Sequence, residues 1–147
     1  LEIAEGSQVT PIPLDEAVST LSAILLDTDY YDFIIAGRRT EADLPWVGED
    51  RLIPLKAVAW LELSARKEKG EAVDSKDVRK HLNDVLRLSQ LLAPDTRIEV
   101  TTRIADDLSR FLDALRADDS IDPKALKLGE ITVADLADRI ARAYGLA

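Results

Sequence analysis

The chain has 147 residues, and with 46% apolar side chains it can bury the core of one domain. Its formal charge of −9 argues against a broad nucleic-acid-binding surface, because phosphate contacts need positive patches. No apolar run approaches the roughly 20 residues that span a bilayer. The absence of cysteine excludes disulfides and thiolate metal sites and fits a reducing compartment, so we expect a cytoplasmic protein without a membrane partner.

The first third of the chain predicts short extended segments followed by two helices. Prolines bias the residues before them away from the helix, and Gly37 is a typical helix end. Because the chain starts at Leu1 and contains no methionine, we also expect that it belongs to a longer translated product. The predicted elements are a strand at 1–4, an extended segment at 10–13, helices at about 15–26 and 28–35, and a connector at 38–48 with a short edge strand or extended segment at 44–47.

The remainder of the chain predicts four further helices and one strand. Pro54 is expected to be tolerated near a helix start, because the first turn has backbone donors without partners. Thr132 and Asp135 resemble a capping box with Asp in place of Glu. The predicted elements are a helix from 49 or 50 that Gly70 ends, a helix from 74 or 75 to about 92, a strand at 97–101, a helix capped by Thr102, and a last helix from 132. We therefore predict a mainly α fold with minor strands.

Lys56 lies within an apolar helical stripe. Leu52, Lys56, Ala59 and Leu63 share one helix face by their i, i+4, i+7 and i+11 spacing. A lysine on a core-facing stripe must desolvate its ammonium or meet an acid. The position therefore predicts a cleft with a nearby carboxylate rather than plain surface.

The next helix carries Asp77, Lys80, His81 and Asp84 at i, i+3, i+4 and i+7, so these four share one face. This face could ligate a metal or move a proton, although it also describes an ordinary exposed face. A short turn between the two helices favours antiparallel packing, which brings Lys56 close to Asp77 or Asp84. Such a pair could bind phosphate, or it could be an interhelical salt bridge with no catalytic task.

The same two helices carry a family resemblance. Its residues are 52–63, 66–67, 70, 73–77, 80–81, 83–84 and 86–88, with further matches at 21–27, 30–31 and 131–145. This pattern resembles the C-terminal half of nucleotidyltransferase-like proteins of the AbiEii type, which are relatives of bacterial toxin and abortive-infection nucleotidyltransferases. The resemblance covers nearly the whole chain.

The resemblance implies a polymerase-β-like enzyme that transfers a nucleotide from a nucleoside triphosphate to an acceptor, with Mg²⁺ bound by an Asp-x-Asp pair after a Gly-Ser motif. Lys56 would neutralise phosphate charge and Asp77 would orient it, while Lys80, His81 and Asp84 would support them. RNA is one possible acceptor, and an antitoxin-like protein could be a partner.

The chain departs from this family pattern at its start. No Asp-x-Asp follows Gly6 and Ser7 at strand spacing, so the chain alone is expected to lack transfer activity. Residues 1–13 are then interpreted as the end of the catalytic sheet, with Glu2 as a possible metal ligand, and 14–147 as a bundle-like helical domain.

The alternative prediction is a non-catalytic helical module that binds a protein partner. Tyr30, Tyr31 and Trp46 could form such an interface, because aromatic side chains are enriched at contact centres. Large aromatic side chains are more often buried, which favours a core position for all three.

Overall fold

The computed structural model describes residues 16–122, 127 and 129–146, with side chains from residue 20 onward. This part of the chain contains six helices and one two-stranded sheet, which confirms the mainly α class. The predicted strand at 1–4, the interpreted sheet remnant at 1–13 and Glu2 lie outside the described residues. The elements are α1 (Glu16–Ile24), α2 (Thr28–Ala36), β1 (Arg39–Glu41), β2 (Leu44–Trp46), α3 (Glu49–Glu68), α4 (Ser75–Ser89), α5 (Thr102–Ala117) and α6 (Val133–Ala143).

Capping side chains mark the residues at which α2, α4, α5 and α6 begin. Asp27 accepts a hydrogen bond from the backbone of Asp29, and Asp74 accepts one from the backbone of Lys76, both at 2.9 Å. The predicted capping box of α6 is confirmed, because Thr132 and Asp135 exchange side-chain and backbone hydrogen bonds at 3.1 and 3.2 Å. Such caps satisfy backbone donors that have no partner inside the helix.

The short edge strand predicted at 44–47 is confirmed as β2, and it pairs with β1 in a β-hairpin that the sequence did not indicate. Arg39 pairs with Trp46 and Glu41 with Leu44 in an antiparallel register. The two turn residues Ala42 and Asp43 have φ values of 51° and 64°. A two-residue hairpin turn with positive φ at both positions normally uses Asn-Gly or Asp-Gly, so the sequence carried no recognisable hairpin signal.

Helices α3 and α4 pack against each other along their length. Lys56 in the first half of α3 contacts Asp84 in the second half of α4, and Lys67 at the end of α3 contacts Ser75 at the start of α4. The two helices are therefore antiparallel, as predicted. Gly70 lies in the turn between them with a φ of +85°, a conformation that L side chains rarely adopt.

The core joins α3 to α4, α5 and α6. Phe111 of α5 and Trp60 of α3 meet edge to face with ring centroids 5.5 Å apart. This geometry is favourable for aromatic pairs and adds to the burial of both rings. The largest apolar side chains with less than 2% exposure are Tyr30, Ile53, Leu63, Leu86, Ile104, Leu108, Phe111, Leu115, Leu136 and Ile140.

Pro54 is accommodated in a different way from the one predicted. It is the sixth residue of α3, beyond the turn whose donors have no helical partner. An amide at this position would bond to the carbonyl of Asp50, and proline has no N–H to do so. The hydroxyl of Tyr144 donates to this carbonyl at 2.5 Å instead. The residue that follows α6 therefore completes the first turns of α3.

The predicted strand at 97–101 is wrong, although its alternating pattern is real. Ile98 and Val100 are half-buried against the core, but the segment is irregular and pairs with no strand of the described part of the chain. The amide of Ile98 donates to the carbonyl of Ala143 at 2.8 Å and ties the segment to the end of α6. The cap of α5 is Thr101, one residue before the predicted Thr102.

The three aromatic residues considered as core or interface divide between the two environments. Tyr30 is 1% exposed, which confirms its core position. Tyr31 and Trp46 are 46% and 41% exposed, so a core position is wrong for both. On α2, the successive side chains of Tyr30 and Tyr31 point in directions about 100° apart, so only Tyr30 faces the core.

Candidate functional site

Lys56 meets Asp84 across the interface of α3 and α4. The Nζ atom of Lys56 donates to Oδ2 of Asp84 at 2.7 Å, and the two side chains are 18% and 26% exposed. Of the two predicted partners, Asp84 is therefore a direct contact of Lys56. The pair is largely shielded from water, so its attraction is stronger than that of a surface salt bridge.

The remaining predicted site residues of α4 do not form one surface. His81 is completely buried, Lys80 is exposed, and Asp77 is half-buried in the first turn of α4. An exposed position is therefore wrong for His81, which is buried like Leu82 and Val85 of the same helix. Within the described ranges, no group of three or more histidine, aspartate or glutamate side chains is arranged to hold a metal ion.

Five clefts formed by the described residues lie away from Lys56. Their volumes are between about 360 and 680 Å³. None of these five is lined by Lys56, Asp77 or Asp84. None of these five therefore corresponds to the cleft that the sequence predicts at Lys56, which stays a prediction.

A second polar cluster, which sequence reasoning missed, joins α2 to α5. The hydroxyl of Tyr30 donates to Oδ2 of Asp107 at 2.6 Å, and Arg110 donates to Oδ1 of the same carboxylate at 2.6 Å. Beside them, Arg103 forms an ion pair with Asp27 at 2.8 Å. Asp107 is only 9% exposed, and each of its carboxylate oxygens accepts one of these two hydrogen bonds. This agrees with the rule that buried polar groups are hydrogen-bonded.

Burial governs the titration of this cluster. Desolvation, and then the hydrogen bond to Asp107, raise the pKa of Tyr30 well above its usual range, so the phenol stays protonated. Desolvation also raises the pKa of Glu62 on α3; Arg66 opposes this shift and the charge of Asp107 adds to it. The protonated phenol of Tyr30 and its hydrogen bond to Asp107 hold α2 and α5 together, which is a structural task.

The sequence did contain a signal for this cluster. Asp107 interrupts the apolar stripe of α5 between Ile104 and Leu108, just as Lys56 interrupts the stripe of α3. A charged residue within a buried stripe requires a partner. Its partner Tyr30 lies 77 positions earlier in the chain, which no local pattern reveals.

Comparison of the chain with protein-family models, curated proteins and solved structures gave no match. Among the described helices, none combines the length and the apolar character that crossing a membrane requires. The function is therefore argued from the side chains that the fold brings together.

Proposed function

We propose that the chain is the helical half of an AbiEii-type nucleotidyltransferase-like protein, in which Lys56 contacts the phosphates of a nucleoside triphosphate. The observation that carries this proposal is the 2.7 Å contact between Lys56 and Asp84. It joins the two helices whose residues carry the family resemblance.

The chemistry of the pair suits an anion-binding role. A lysine ammonium has three N–H donors, and Asp84 accepts one of them, which fixes the position of the charge. The other donors can meet phosphate oxygens, where a fixed positive charge stabilises the transition state of phosphoryl transfer. In this proposal Mg²⁺ and most of the triphosphate are bound outside 16–146, and Asp77, Lys80 and His81 support the helix that carries Asp84. RNA as the acceptor and an antitoxin-like partner belong to the same proposal.

The test replaces Lys56 in the full-length translated protein. Lys56→Met keeps an unbranched apolar stem but removes the ammonium. We expect nucleotide transfer to fall at least about tenfold, because one charge-assisted contact to the transferred phosphate is lost. The measurement is incorporation of each labelled nucleoside triphosphate into cellular RNA in the presence of Mg²⁺, together with the thermal unfolding midpoint.

Two further variants separate catalysis from structure. Lys69→Met removes an exposed lysine at the end of the same helix and should leave transfer unchanged. The double variant Lys56→Met/Asp84→Leu replaces the ion pair by an apolar contact, so stability should be kept while transfer stays low. A folded Lys56→Met protein with full transfer activity would leave only the salt-bridge interpretation.

A second candidate function is self-association through the β-hairpin, and a specific observation favours it. Both strands are exposed along their whole length, with Leu44 69% and Trp46 41% exposed. A lone two-stranded hairpin is marginally stable in water. Pro45 has no N–H, so in this register Thr40 and Pro45 are not hydrogen-bonded to each other. The N–H and C=O of Thr40 therefore point to the outer edge of β1.

A second copy of the chain is the occupant that this edge fits. Antiparallel pairing of β1 with itself about Thr40 places Arg39 of each copy opposite Glu41 of the other. The outer edge of β2 carries Pro45, which blunts it against pairing. Charge complementarity and the open edge therefore coincide on the same strand.

Thr40→Pro tests this candidate, because it removes the outward N–H without removing a hydrogen bond inside the hairpin. We expect the parent chain to dimerise with rising concentration in sedimentation-velocity measurements, and Thr40→Pro to remain monomeric. Thr40→Val keeps the N–H and should dimerise like the parent. A parent chain that is monomeric at every accessible concentration contradicts the candidate.

A further inference from the structure

Three arginines surround a cleft where α4 and α6 end. The cleft has a volume of about 360 Å³, and its charged lining residues are Arg97, Arg139 and Arg142. No carboxylate is among the described residues that line it, although the chain has 28 acidic and only 19 basic residues. Leu92 and Pro94 contribute an apolar wall. We propose that this cleft binds a phosphomonoester, with the phosphate between the arginines and the organic part against the apolar wall.

The fold holds these arginines in place. Arg139 and Arg142 lie one turn apart on α6 and therefore share a face. Arg97 comes from the loop before α5, and its Nη1 donates to the carbonyls of Thr96 at 2.7 Å and Pro94 at 3.2 Å. The bond between Ile98 and Ala143 fixes this loop against the end of α6. Two elements that are distant in sequence thus carry guanidinium groups to one cleft.

The neighbouring acids are engaged elsewhere. Asp135 accepts the backbone amide of Thr132 in the capping box, and Asp138 pairs with Arg116 at 3.1 Å. In the described part of the chain, neither Arg139 nor Arg142 forms an ion pair, while exposed Asp95 lies in the loop beside Arg97. The dipole of α6 favours a cation at its end, which accounts for Arg142 but not for the convergence of three arginines.

The shape and charge of the cleft indicate the class of ligand. Guanidinium groups bind phosphate through paired N–H donors, and a doubly charged phosphomonoester gains more from several of them than a carboxylate does. The volume is at the small end of ligand clefts, which suits a mononucleotide or the 5′ end of an RNA. This site shares no residue with the contact of Lys56 and Asp84 and does not depend on the proposed transfer activity.

The test is a titration of the chain with inorganic phosphate, adenosine monophosphate or adenosine, in which NMR monitors the amide shifts. We expect saturable binding of adenosine monophosphate with amide shifts in 90–98 and 139–146, weaker binding of phosphate, and none of adenosine. The double variant Arg139→Gln/Arg142→Gln should weaken binding at least about tenfold, because two charged donors are lost. Equal binding of adenosine and its monophosphate would overturn the proposal.

Arg79→Gln is the matched control. Arg79 is an exposed arginine on α4 that lies 11 residues before Gln90 of the cleft, or roughly 16 Å along the helix. This variant should bind like the parent, and an equal loss of affinity would show unspecific attraction and overturn the proposal.

Short RNAs with a 5′ phosphate or a 5′ hydroxyl identify which molecule supplies the phosphomonoester. Tighter binding of the phosphorylated RNA than of the mononucleotide supports an RNA end, and the reverse order supports a free nucleotide. Absence of saturable binding by every phosphorylated probe also overturns the proposal.

Discussion

Phe111→Ala is expected to lower the free energy of unfolding by about 3–5 kcal/mol, because it removes a large, fully buried ring from a core that cannot close over the space. Phe111 has no exposed surface, and its edge contact with Trp60 links α5 to α3. The substitution also removes the edge-to-face contact with Trp60, which stabilises the core beyond the burial of apolar surface. The measurement is equilibrium urea unfolding followed by circular dichroism.

Two other substitutions calibrate this effect. Phe111→Leu keeps most of the buried volume and should cost clearly less than Phe111→Ala. Tyr31→Ala removes a half-exposed ring from α2 and should change stability by about 0.5 kcal/mol or less. If Phe111→Ala cost no more than Tyr31→Ala, the packing of α5 on α3 described above would be wrong.

Tyr144→Phe is expected to destabilise the fold by about 1–3 kcal/mol, because it leaves the carbonyl of Asp50 without a donor. The hydroxyl supplies the hydrogen bond that Pro54 cannot give. Burial of Tyr144 and the neighbouring Asp50 raise the pKa of its phenol well above its usual range, so the hydroxyl keeps its proton at neutral pH.

A double-mutant cycle tests this account directly. Pro54→Ala restores a backbone N–H at position 54, which can bond to the carbonyl of Asp50. Tyr144→Phe should therefore cost less in the Pro54→Ala background than in the parent chain, and the difference measures the coupling of the two sites. Equal costs in both backgrounds, measured by urea unfolding, would show that the hydroxyl does not replace the missing amide.

Local sequence signals predicted the helices well. Asp27, Asp74 and Thr132 are short polar residues before apolar periodic segments, and each caps a helix. The hairpin was missed because Ala42 and Asp43 adopt positive φ without a glycine. The strand predicted at 97–101 failed because alternation indicates which side chains face the core but not whether another strand lies alongside.

The candidate sites depend on contacts between distant residues, which explains why only part of them could be predicted. The pairing of Lys56 with an acid of the next helix followed from the short turn between α3 and α4, but identifying Asp84 as a partner required the packing register. The Tyr30–Asp107 contact and the arginine cleft join segments separated by tens of residues. Periodicity within one helix has no information about such pairs.

The bond from Tyr144 to Asp50 also has a consequence for biosynthesis. At typical elongation rates of about 5–20 residues per second, the ribosome adds the 94 residues between the two partners in roughly 5–20 s. Throughout this interval the nascent chain has Pro54 in place but not the hydroxyl that compensates for it. The beginning of α3 therefore cannot reach its final hydrogen bonding during translation of the segments that follow it.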